Sequence, residues 1–401
     1  MRVAYVCTDP GVPVFGRKGA SVHVQAVLTA LLRRGAEVDL MSPRPGGKPP
    51  VGLAAVRVHE LPRAEHADPA LREVAAQQAD ARVAAVLDRL RSEHPLDLVY
   101  ERYALWGRTA SAWARRHHVP HLLEVNAPLV TEQARHRTLV DIAGAEEVAT
   151  AAMSAASTVI CVSDPVADWA RRYVRNPSVV HTLANGVDTS RIIPAPAGPP
   201  AAPSSEFTIG FVGTLKPWHG VETLLEATAL LVADDPSYRV LLVGDGPLAD
   251  VLRARADQLG IAEQVEMTGA LDPDRIPAQL HRCQVAVAPY PASADFYFSP
   301  LKLYEYLAAG VPVVASRVGD LPETLQDGRL GVLVSPGQPR ELADAIAGLR
   351  ADPARRSALA RAGRAQAVRH HDWSQVVTRA LRLAGVGDST DRPPALVGVE
   401  S

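Results

Sequence analysis

The sequence contains few cysteines and few aromatic residues, and its net charge is small. Its three cysteines, Cys7, Cys161 and Cys283, are too few and too scattered for a disulfide framework or a metal site. Aromatic residues make up 5% of the chain, which argues against a stacking platform for single-stranded nucleic acid. The chain has 42 basic and 44 acidic residues, which gives a net charge of −2. This balance excludes a dominant basic surface, so we predict no nucleic-acid partner.

Long apolar runs are scarce as well. No stretch approaches the roughly 20 apolar residues that a membrane span needs. The N-terminus, MRVAYVCTDPGVP, has an apolar stretch of only about five residues before Asp9, too short for a secretory signal. We therefore expect a cytoplasmic protein without a transmembrane segment and leave peripheral membrane contact open. The sequence also lacks the Walker, protein-kinase, G-x-S-x-G and H-E-x-x-H motifs.

What the sequence does contain is a regular alternation of short β-rich runs and helix-period stretches. Strands are predicted at Val3–Cys7 and Glu37–Met41, for example, with an amphipathic helix over Ala20–Arg34 between them. A long helix is predicted over Pro69–Glu93. This alternation predicts an α/β fold with parallel sheets built from right-handed βαβ units.

Proline divides the alternation into two halves. The chain has 33 prolines, and several lie in the stretch IPAPAGPPAAP, which can pack as neither strand nor helix. We predict a Rossmann-like domain over 1–193, a linker over 194–204, a second Rossmann-like domain over 205–385 and a flexible tail over 386–401. Whether the last helix, about 372–385, packs back on the first domain stays open. The carboxyl ends of the strands should face a cleft between the two domains.

Two predicted strand-to-helix junctions carry glycine in an otherwise plain loop. In Gly16–His23, glycine permits a close backbone approach, Ser21 is a plausible N-cap, and free N–H groups would favour an anion. A tight turn before a capped helix explains this loop equally well. Ordinary turn chemistry also explains Gly244–Pro247 about as well as ligand binding does.

Two further junctions have a composition that favours function. The loop Gly213–Gly220 combines Lys216 and His219 between two glycines directly after a predicted strand. The stretch SPLKLYEYLAAG places Pro300 near a helix start, and the free N–H groups of that helix suit a diphosphate. A carboxylate at Glu305 could accept bonds from both ribose hydroxyls; the alternative is a surface ion pair with Lys302 at i,i+3.

In both halves, several such stretches together resemble the retaining glycosyltransferases of family 4, in the glycogen-synthase and mannosyltransferase group. The resemblance extends through nearly the whole chain and implies the GT-B fold of two facing Rossmann-like domains. The stretches that carry it are GRKGASVHVQAVLTALLRRGAEVDLMSP, YERYALWG, LLEVNAP, LANGVD, GFVGTLKPWHG, LLVGDGP, MTGAL and SPLKLYEYLAAGVPVVAS.

The resemblance also implies a set of site residues. Glu305 corresponds to the second Glu of the family's E-x7-E motif, whereas the first falls at Tyr297; Thr214 and His219 stand where Arg and Lys are usual. The predicted donor and nucleotide contacts are Gly19, Gly213, Thr214, His219, Gly244, Gly246, Leu271, Phe298, Ser299, Pro300, Leu301 and Glu305, with Asp295 and Tyr297 at the donor sugar. The predicted catalytic residues are Lys216, Lys302, Glu124 and Asn126, and the acceptor contacts are Ser21, His23, Tyr103, Trp106 and Arg135.

The implied reaction is transfer of a sugar, with retention, from a UDP- or GDP-type nucleotide sugar to a hydroxyl of a small molecule or glycan. No cofactor and no metal are expected, and the protein would be a monomer or homodimer in bacterial natural-product or glycan biosynthesis. A sugar-nucleotide epimerase, a phosphorylase and a non-catalytic sugar-nucleotide binder remain as alternatives.

Overall fold

The computed structural model describes residues 1–196, 206–292, 297 and 299–387. They form two compact units. The N-terminal unit is Met1–Leu183 together with the chain from Ser374 onward, and the C-terminal unit is Ala184–Trp373. Among the described residues, no helix has the length and apolar character that crossing a membrane requires.

The N-terminal unit is built on a seven-stranded parallel sheet of order β3-β2-β1-β4-β5-β6-β7. The order reverses between β1 and β4, as in doubly wound nucleotide-binding sheets. The strands are β1 (Arg2–Cys7), β2 (Glu37–Ser42), β3 (Arg57–Glu60), β4 (Leu98–Arg102), β5 (His121–Val125), β6 (Thr158–Cys161) and β7 (Val180–Thr182). The helices are α1 (Gly19–Arg33), α2 (Pro69–Asp80), α3 (Arg82–Glu93), α4 (Thr109–His117), α5 (Leu129–His136), α6 (Ile142–Ala155) and α7 (Asp164–Arg171).

A buried carboxylate joins the first three strands. Asp39 of β2 is fully buried and accepts bonds from Arg2 at 3.0 Å, from Arg57 at 2.9 Å and from His59 at 2.9 Å. Burial alone would raise the pKa of this carboxyl, but its bonds to Arg57, His59 and Arg2 outweigh burial and lower it to about 2. The ion cluster therefore fixes one side of the sheet.

The predicted single helix over 69–93 is wrong, because α2 ends at Asp80 and α3 begins at Arg82. The Asp80 side chain is buried and accepts bonds from the backbone N–H groups of Arg108 and Thr109, at 3.2 and 2.9 Å. It thereby caps the start of α4, a role that depends on residues about 28 positions further along the chain.

The C-terminal unit repeats the same plan with six strands in the order β10-β9-β8-β11-β12-β13. Alternate residues of the strands β9, β11, β12 and β13 belong to two separate apolar clusters, so both faces of the sheet are covered by helices. The strands are β8 (Phe207–Val212), β9 (Tyr238–Val243), β10 (Val265–Gly269), β11 (Val285–Ala288), β12 (Val313–Ser316) and β13 (Val332–Val334). The helices are α8 (Val221–Asp234), α9 (Ala249–Gln258), α10 (Ile276–Leu280), α11 (Leu301–Ala308), α12 (Leu321–Thr324), α13 (Pro339–Ala351) and α14 (Pro353–Gln366).

The first domain boundary differs from the predicted one at residue 193. Residues 184–193 belong to the C-terminal unit, because Val187 forms a parallel bridge with Asp372 and Ile192 is fully buried in the C-terminal core. Of the predicted linker only 194–196 lie within the described residues, and of the predicted tail only 386–387.

The last helix, α15 (Trp373–Leu383), belongs to the N-terminal unit from Ser374 onward. Thr158 at the start of β6 donates to the carbonyl of Leu383 at 3.2 Å, and Arg34 donates to Thr378 at 2.8 Å. Val377 and Leu381 of this helix are each only 1% exposed. The end of the described chain therefore contributes to the core of the first unit.

Candidate functional site

In the C-terminal unit, three loops that follow neighbouring strands pack so closely that glycine is required. A Cβ on Gly244 would lie 2.0 Å from the Gly213 carbonyl oxygen, and one on Gly246 would lie 2.5 Å from that of Leu215. Gly220, with φ +66°, is equally constrained, because its Cβ would lie 1.9 Å from the Pro289 carbonyl oxygen. The predicted nucleotide-binding glycines Gly213, Gly244 and Gly246 thus first serve to bring the loops after β8 and β9 together.

Lys302, the second residue of α11, is buried beside these loops. Its Nζ lies 4.2 Å from the ring centroid of Phe211 and 5.0 Å from that of Tyr290, with no hydrogen-bond partner among the described residues. Since a Cβ at Gly213 would lie 3.1 Å from this Nζ, glycine leaves the space that the ammonium occupies. Burial, only partly offset by Glu305, lowers the pKa of Lys302 to about 7.

The loop after β8 carries the other predicted cation. Lys216 is half-buried, with its Nζ 4.6 Å from the Trp218 ring centroid. The His219 Nδ1–H donates to the carbonyl of Thr214. Burial, followed by the charges of Lys302 and Lys216, lowers the pKa of His219 to about 4, so its ring is neutral at pH 7. The loop therefore presents one cation, not two.

The N-terminus of α11 lies next to this loop in the same unit. The helix begins at Leu301 after Pro300, and its first N–H groups have no intrahelical acceptor. The Ser299 hydroxyl donates to the Tyr304 hydroxyl at 3.3 Å and accepts from the backbone N–H of Asn185 at 3.4 Å. Tyr297 is half-buried, while the predicted contacts Asp295 and Phe298 lie outside the described residues.

Glu305, on the same helix, has a partner that sequence reasoning missed. Its carboxylate oxygen lies 3.7 Å from Arg191 Nη2, and its side chain is 23% exposed. Burial raises the pKa of Glu305, with Arg191 and Lys302 opposing that effect. The i,i+3 ion pair with Lys302 is not formed. Arg191 lies in a stretch that the sequence assigned to the other domain, so no local signal could have linked it to Glu305. Leu271 is half-buried against the apolar core of this unit.

In the N-terminal unit, a cavity of about 790 Å³ lies near the carboxyl ends of β1, β4 and β5. The predicted residues Tyr103, Trp106 and Asn126 line it. The sequence did not single out three further polar residues in its wall, Thr8, Asp80 and Arg102. Thr8 follows β1, Asp80 ends α2 and Arg102 ends β4. The sequence alone did not predict that these three positions surround one cavity.

Five wall residues carry buried polar atoms with no hydrogen-bond partner among the described residues. They are Thr8 Oγ1, Asp80 Oδ1, Arg102 Nη1, Tyr103 OH and Asn126 Nδ2. The other Asp80 oxygen is fixed by Thr109, whose hydroxyl donates at 2.5 Å. Burial, opposed by that hydroxyl, raises the pKa of Asp80 to about 6. The cavity wall thus offers both hydrogen-bond donors and acceptors.

Glu124, a predicted catalytic residue, forms a buried ion pair with His23 behind this wall. Its Oε1 lies 2.6 Å from His23 Nε2, and both side chains are nearly inaccessible. Burial would raise the pKa of Glu124, but His23 and Arg102 outweigh it, so the pKa is lowered. Glu124 does not line the cavity, whereas Asn126 does. The geometry therefore gives Glu124 and His23 a supporting position behind the wall.

One further prediction in this unit, the N-cap, is wrong, and the predicted acceptor contact Arg135 stays a prediction. Ser21 is not the N-cap of α1: the helix begins at Gly19 after Lys18, and Ser21 is fully buried inside its first turn without a capping bond. Arg135 of α5 is exposed and lies outside the cavity lining, which α5 reaches instead through Glu132 and Gln133. Among the described residues, no cluster of His, Cys, Asp and Glu could hold a metal ion.

Two family models match the chain. The model described as Glycosyltransferase Family 4 matches residues 17–191, and the one described as Glycosyl transferases group 1 matches residues 206–352. Together they span about four fifths of the chain.

The chain belongs to the family 4 glycosyltransferases. It is 29% identical to D-inositol 3-phosphate glycosyltransferase of Actinosynnema mirum, over 93% of either chain. It is 27% identical to glycogen synthase of Mycobacterium tuberculosis, over 98% of this chain and 97% of that one. A GDP-mannose-dependent alpha-(1-6)-phosphatidylinositol monomannoside mannosyltransferase of Mycolicibacterium smegmatis is 33% identical, over 50% of this chain and 54% of that one.

Solved structures share the fold. Sucrose-phosphate synthase from Thermosynechococcus elongatus has a TM-score of 0.69 and 21% identity, covering 95% of this chain and 98% of its own. HepE of Anabaena, solved in complex with UDP, has a TM-score of 0.69 and 20% identity, covering 96% of this chain and 100% of its own. The predicted α/β fold is confirmed: this family 4 glycosyltransferase has two parallel-sheet, Rossmann-like domains of the GT-B type.

Proposed function

We propose that this glycosyltransferase transfers a sugar, with retention and without a metal ion, from a UDP- or GDP-type nucleotide sugar to a hydroxylated acceptor. The observation that carries the proposal is Lys302, a buried ammonium without a hydrogen-bond partner at the N-terminus of α11. A buried cation is costly unless it is paired, so an anionic ligand is the natural occupant. A diphosphate supplies that charge.

The reaction breaks the bond between the sugar's anomeric carbon and the diphosphate oxygen. The departing nucleoside diphosphate gains negative charge, and Lys302, Lys216 and the first N–H groups of α11 would stabilise it. The acceptor oxygen then bonds the anomeric carbon on the same face, and its proton passes to an oxygen of the departing phosphate. The protein's contribution is mainly electrostatic and positional.

Glu305 would hold the ribose of the donor by accepting hydrogen bonds from its hydroxyls. Arg191, 3.7 Å from the Glu305 carboxylate, would keep that side chain ionised and oriented. With Tyr297 at the position of the family's first Glu, the grip on the donor sugar differs from the usual pattern. The name of the GDP-mannose-dependent relative supports a GDP-type donor, and the UDP type is the alternative.

The acceptor would occupy the cavity of the N-terminal unit. Its wall combines a carboxylate oxygen of Asp80, a guanidinium nitrogen of Arg102, the amide nitrogen of Asn126 and the hydroxyls of Thr8 and Tyr103. A hydroxyl both donates and accepts, so a polyhydroxylated molecule could satisfy all five groups, whereas an apolar one would leave them unpaired. The names of the two long relatives, which mention inositol phosphate and glycogen, agree with this class.

The test is incubation with UDP-, GDP-, TDP- and ADP-sugars, with and without polyol and sugar acceptors, followed by nucleotide release. We expect release with one nucleotide class, an NMR product with the donor's anomeric configuration, and equal rates with and without a chelator. Lys216→Ala should lower kcat/KM by about 10²-fold, with the exposed Lys48→Ala as control.

Each part of the proposal has its own contrary result. Inverted configuration rules out retention, and loss of activity with chelator rules out metal independence. A Lys216 effect below threefold removes that lysine from the mechanism. Tight nucleotide-sugar binding without turnover would instead favour a non-catalytic binder, and conversion of the donor without an acceptor would favour an epimerase.

A further inference from the structure

A second concave site lies in the N-terminal unit, apart from the acceptor cavity. It is a groove of about 620 Å³ between α4, α6 and the segment that follows α7. Small residues on the facing helices open it: Ala112 of α4 opposite Ala151 and Ala155 of α6. Trp113 and Tyr173, both buried, form part of its lining. We call this site the arginine groove.

Five exposed arginines surround the arginine groove, and none of the described residues that line it is acidic. Arg115 and Arg116 lie in the last turn of α4, and Arg108 is the N-cap residue of this helix, seven and eight residues earlier. Arg172 and Arg175 come from the segment after α7. At 1.5 Å of rise per residue, the backbone positions of Arg108 and Arg115 are about 10 Å apart along the helix.

The five arginines of the groove differ from several others in the chain that form ion pairs. Arg57, Arg239 and Arg282, for example, are each paired with a carboxylate at 2.5–3.1 Å. Among the described residues, none of the five in the groove has an acidic partner. The nearby carboxylates contact the aromatic side chains instead: Asp88 accepts from Trp113 Nε1 at 2.7 Å, and Glu146 interacts with Tyr173.

Helix stabilisation explains only part of this arrangement. Arg115 and Arg116 lie in the last turn of α4, where positive charge favours the helix dipole. Arg108 lies at the N-cap of the same helix, where positive charge is unfavourable. Arg172 and Arg175 lie beyond the end of α7. Five like charges around one groove therefore have no full account within the fold.

We propose that the arginine groove binds a phosphate-bearing organic molecule. Guanidinium groups would contact the phosphate oxygens in forked hydrogen bonds, and the alanine and aromatic lining would contact the organic part. The concave shape and the apolar lining favour such a ligand over a bare inorganic ion. The span of the arginines suits more than one phosphate or a diphosphate. The phosphate can belong to a soluble ester or to a lipid headgroup.

The test measures binding to the full-length protein with its donor site saturated by a nucleoside diphosphate. The probes are phenyl phosphate and inorganic pyrophosphate by calorimetry, and phosphatidylcholine vesicles with and without phosphatidylglycerol by co-sedimentation. The variants are Arg115→Gln with Arg116→Gln, and Arg172→Gln with Arg175→Gln. A matched control, Arg63→Gln with Arg171→Gln, removes the same charge from exposed, ion-paired sites of this unit.

We expect each groove pair to weaken binding at least tenfold, and the control pair to change it less than twofold. Binding should also fall steeply with salt. Binding of the soluble phosphates alone identifies a soluble ester, and binding of the phosphatidylglycerol vesicles alone identifies a lipid headgroup. Phenyl phosphate should bind more tightly than pyrophosphate if the apolar lining contributes. The proposal fails if no probe binds, or if the groove pairs and the control pair weaken binding equally.

Discussion

Lysine is rare in this chain, at positions 18, 48, 216 and 302 alone, and Lys302 is the one placed where an ammonium is least stable. It is 8% exposed beneath two aromatic rings, and its Nζ has no hydrogen-bond partner among the described residues. Such a group reduces stability in the free protein and becomes favourable when an anion arrives. Function and stability should therefore respond to its removal in opposite directions.

Lys302→Met should stabilise the free protein while weakening the donor's diphosphate site. At pH 7 we expect a gain on the order of a few kcal/mol in the free energy of unfolding, since an apolar side chain of similar length avoids the cost of burying charge. The kcat/KM for transfer should fall by about 10²-fold or more. Denaturant unfolding and steady-state kinetics measure the two effects, and the exposed Lys48→Met should change neither.

The stability difference should depend on pH. Because the pKa of Lys302 is about 7 in the folded chain and about 10.5 when unfolded, the unfolded state binds more protons between these values. The destabilisation by Lys302 is thus complete below pH 7 and fades as the pH rises from 7 towards 10.5. A gap between wild type and Lys302→Met that stays constant over that window contradicts this account.

The sequence predicts candidate site residues but not their burial or their partners in the fold. Lys302 and Glu305 were predicted from helix position and resemblance, yet the burial of Lys302 and the pairing of Glu305 with Arg191 were not. Glu124 similarly pairs with His23, 101 residues away in the chain. Residue type and spacing predict where a strand ends. They do not predict which distant side chain meets it there.

At the scale of elements, the sequence predicted the strands and helices of the C-terminal unit but not the contacts between its loops. The alternation of strands and helices was predictable, because buried parallel strands are apolar runs flanked by amphipathic helices. The three-residue strand Val180–Thr182 escaped prediction, since it is short and only Val180 is buried. The close contact between loops escaped it as well, although the loops after β8 and β9 contain glycine.

Two glycines with nearly the same backbone conformation can separate loop contact from backbone strain. Gly220 has φ +66° and Gly260 has φ +70°, but only Gly220 has an atom within reach of an added Cβ. We expect Gly260→Ala to cost about 1 kcal/mol in the free energy of unfolding, from the left-handed conformation alone. Gly220→Ala should cost roughly 3 kcal/mol or more, because the loop after β11 must also move.

Denaturant unfolding of both variants measures the difference. The affinity for nucleotide is a second measurement. Gly220→Ala should weaken nucleotide binding, because the loop that carries Lys216 and His219 moves. Gly260→Ala should leave nucleotide binding unchanged. Equal losses of stability in the two variants would show that the loop contact adds nothing beyond the strain.

At the scale of the molecule, the chain enters and leaves the C-terminal unit once each, near residues 184 and 373. The prolines of the sequence predicted the first passage about ten residues too late, at 194–204, and the sequence left the second one open. An amphipathic helix such as α15 signals only that one face is buried. The bonds to Leu383 and Thr378 show which unit buries it.

This placement makes a prediction about stability at a distance along the sequence. Leu381→Ala should destabilise the N-terminal unit by about 2–5 kcal/mol, because a buried leucine is lost from its core. Leu383→Ala is the matched control, since Leu383 is 39% exposed on the same helix. Hydrogen exchange should show lost protection in strands such as β6, and not in β8 to β13. Lost protection confined to the C-terminal unit would contradict the assignment.

The bridge between Val187 and Asp372 has a consequence for how the gene could be divided. It joins the incoming and outgoing segments of the C-terminal unit by hydrogen bonds, Val187 N–H to the His371 carbonyl at 2.7 Å and Trp373 N–H to the Val187 carbonyl at 3.2 Å. In topology, residues 184–373 are an insertion into the N-terminal unit, with its two ends side by side. One uninterrupted coding segment therefore encodes the C-terminal unit, whereas the N-terminal unit requires two coding segments joined across the gap.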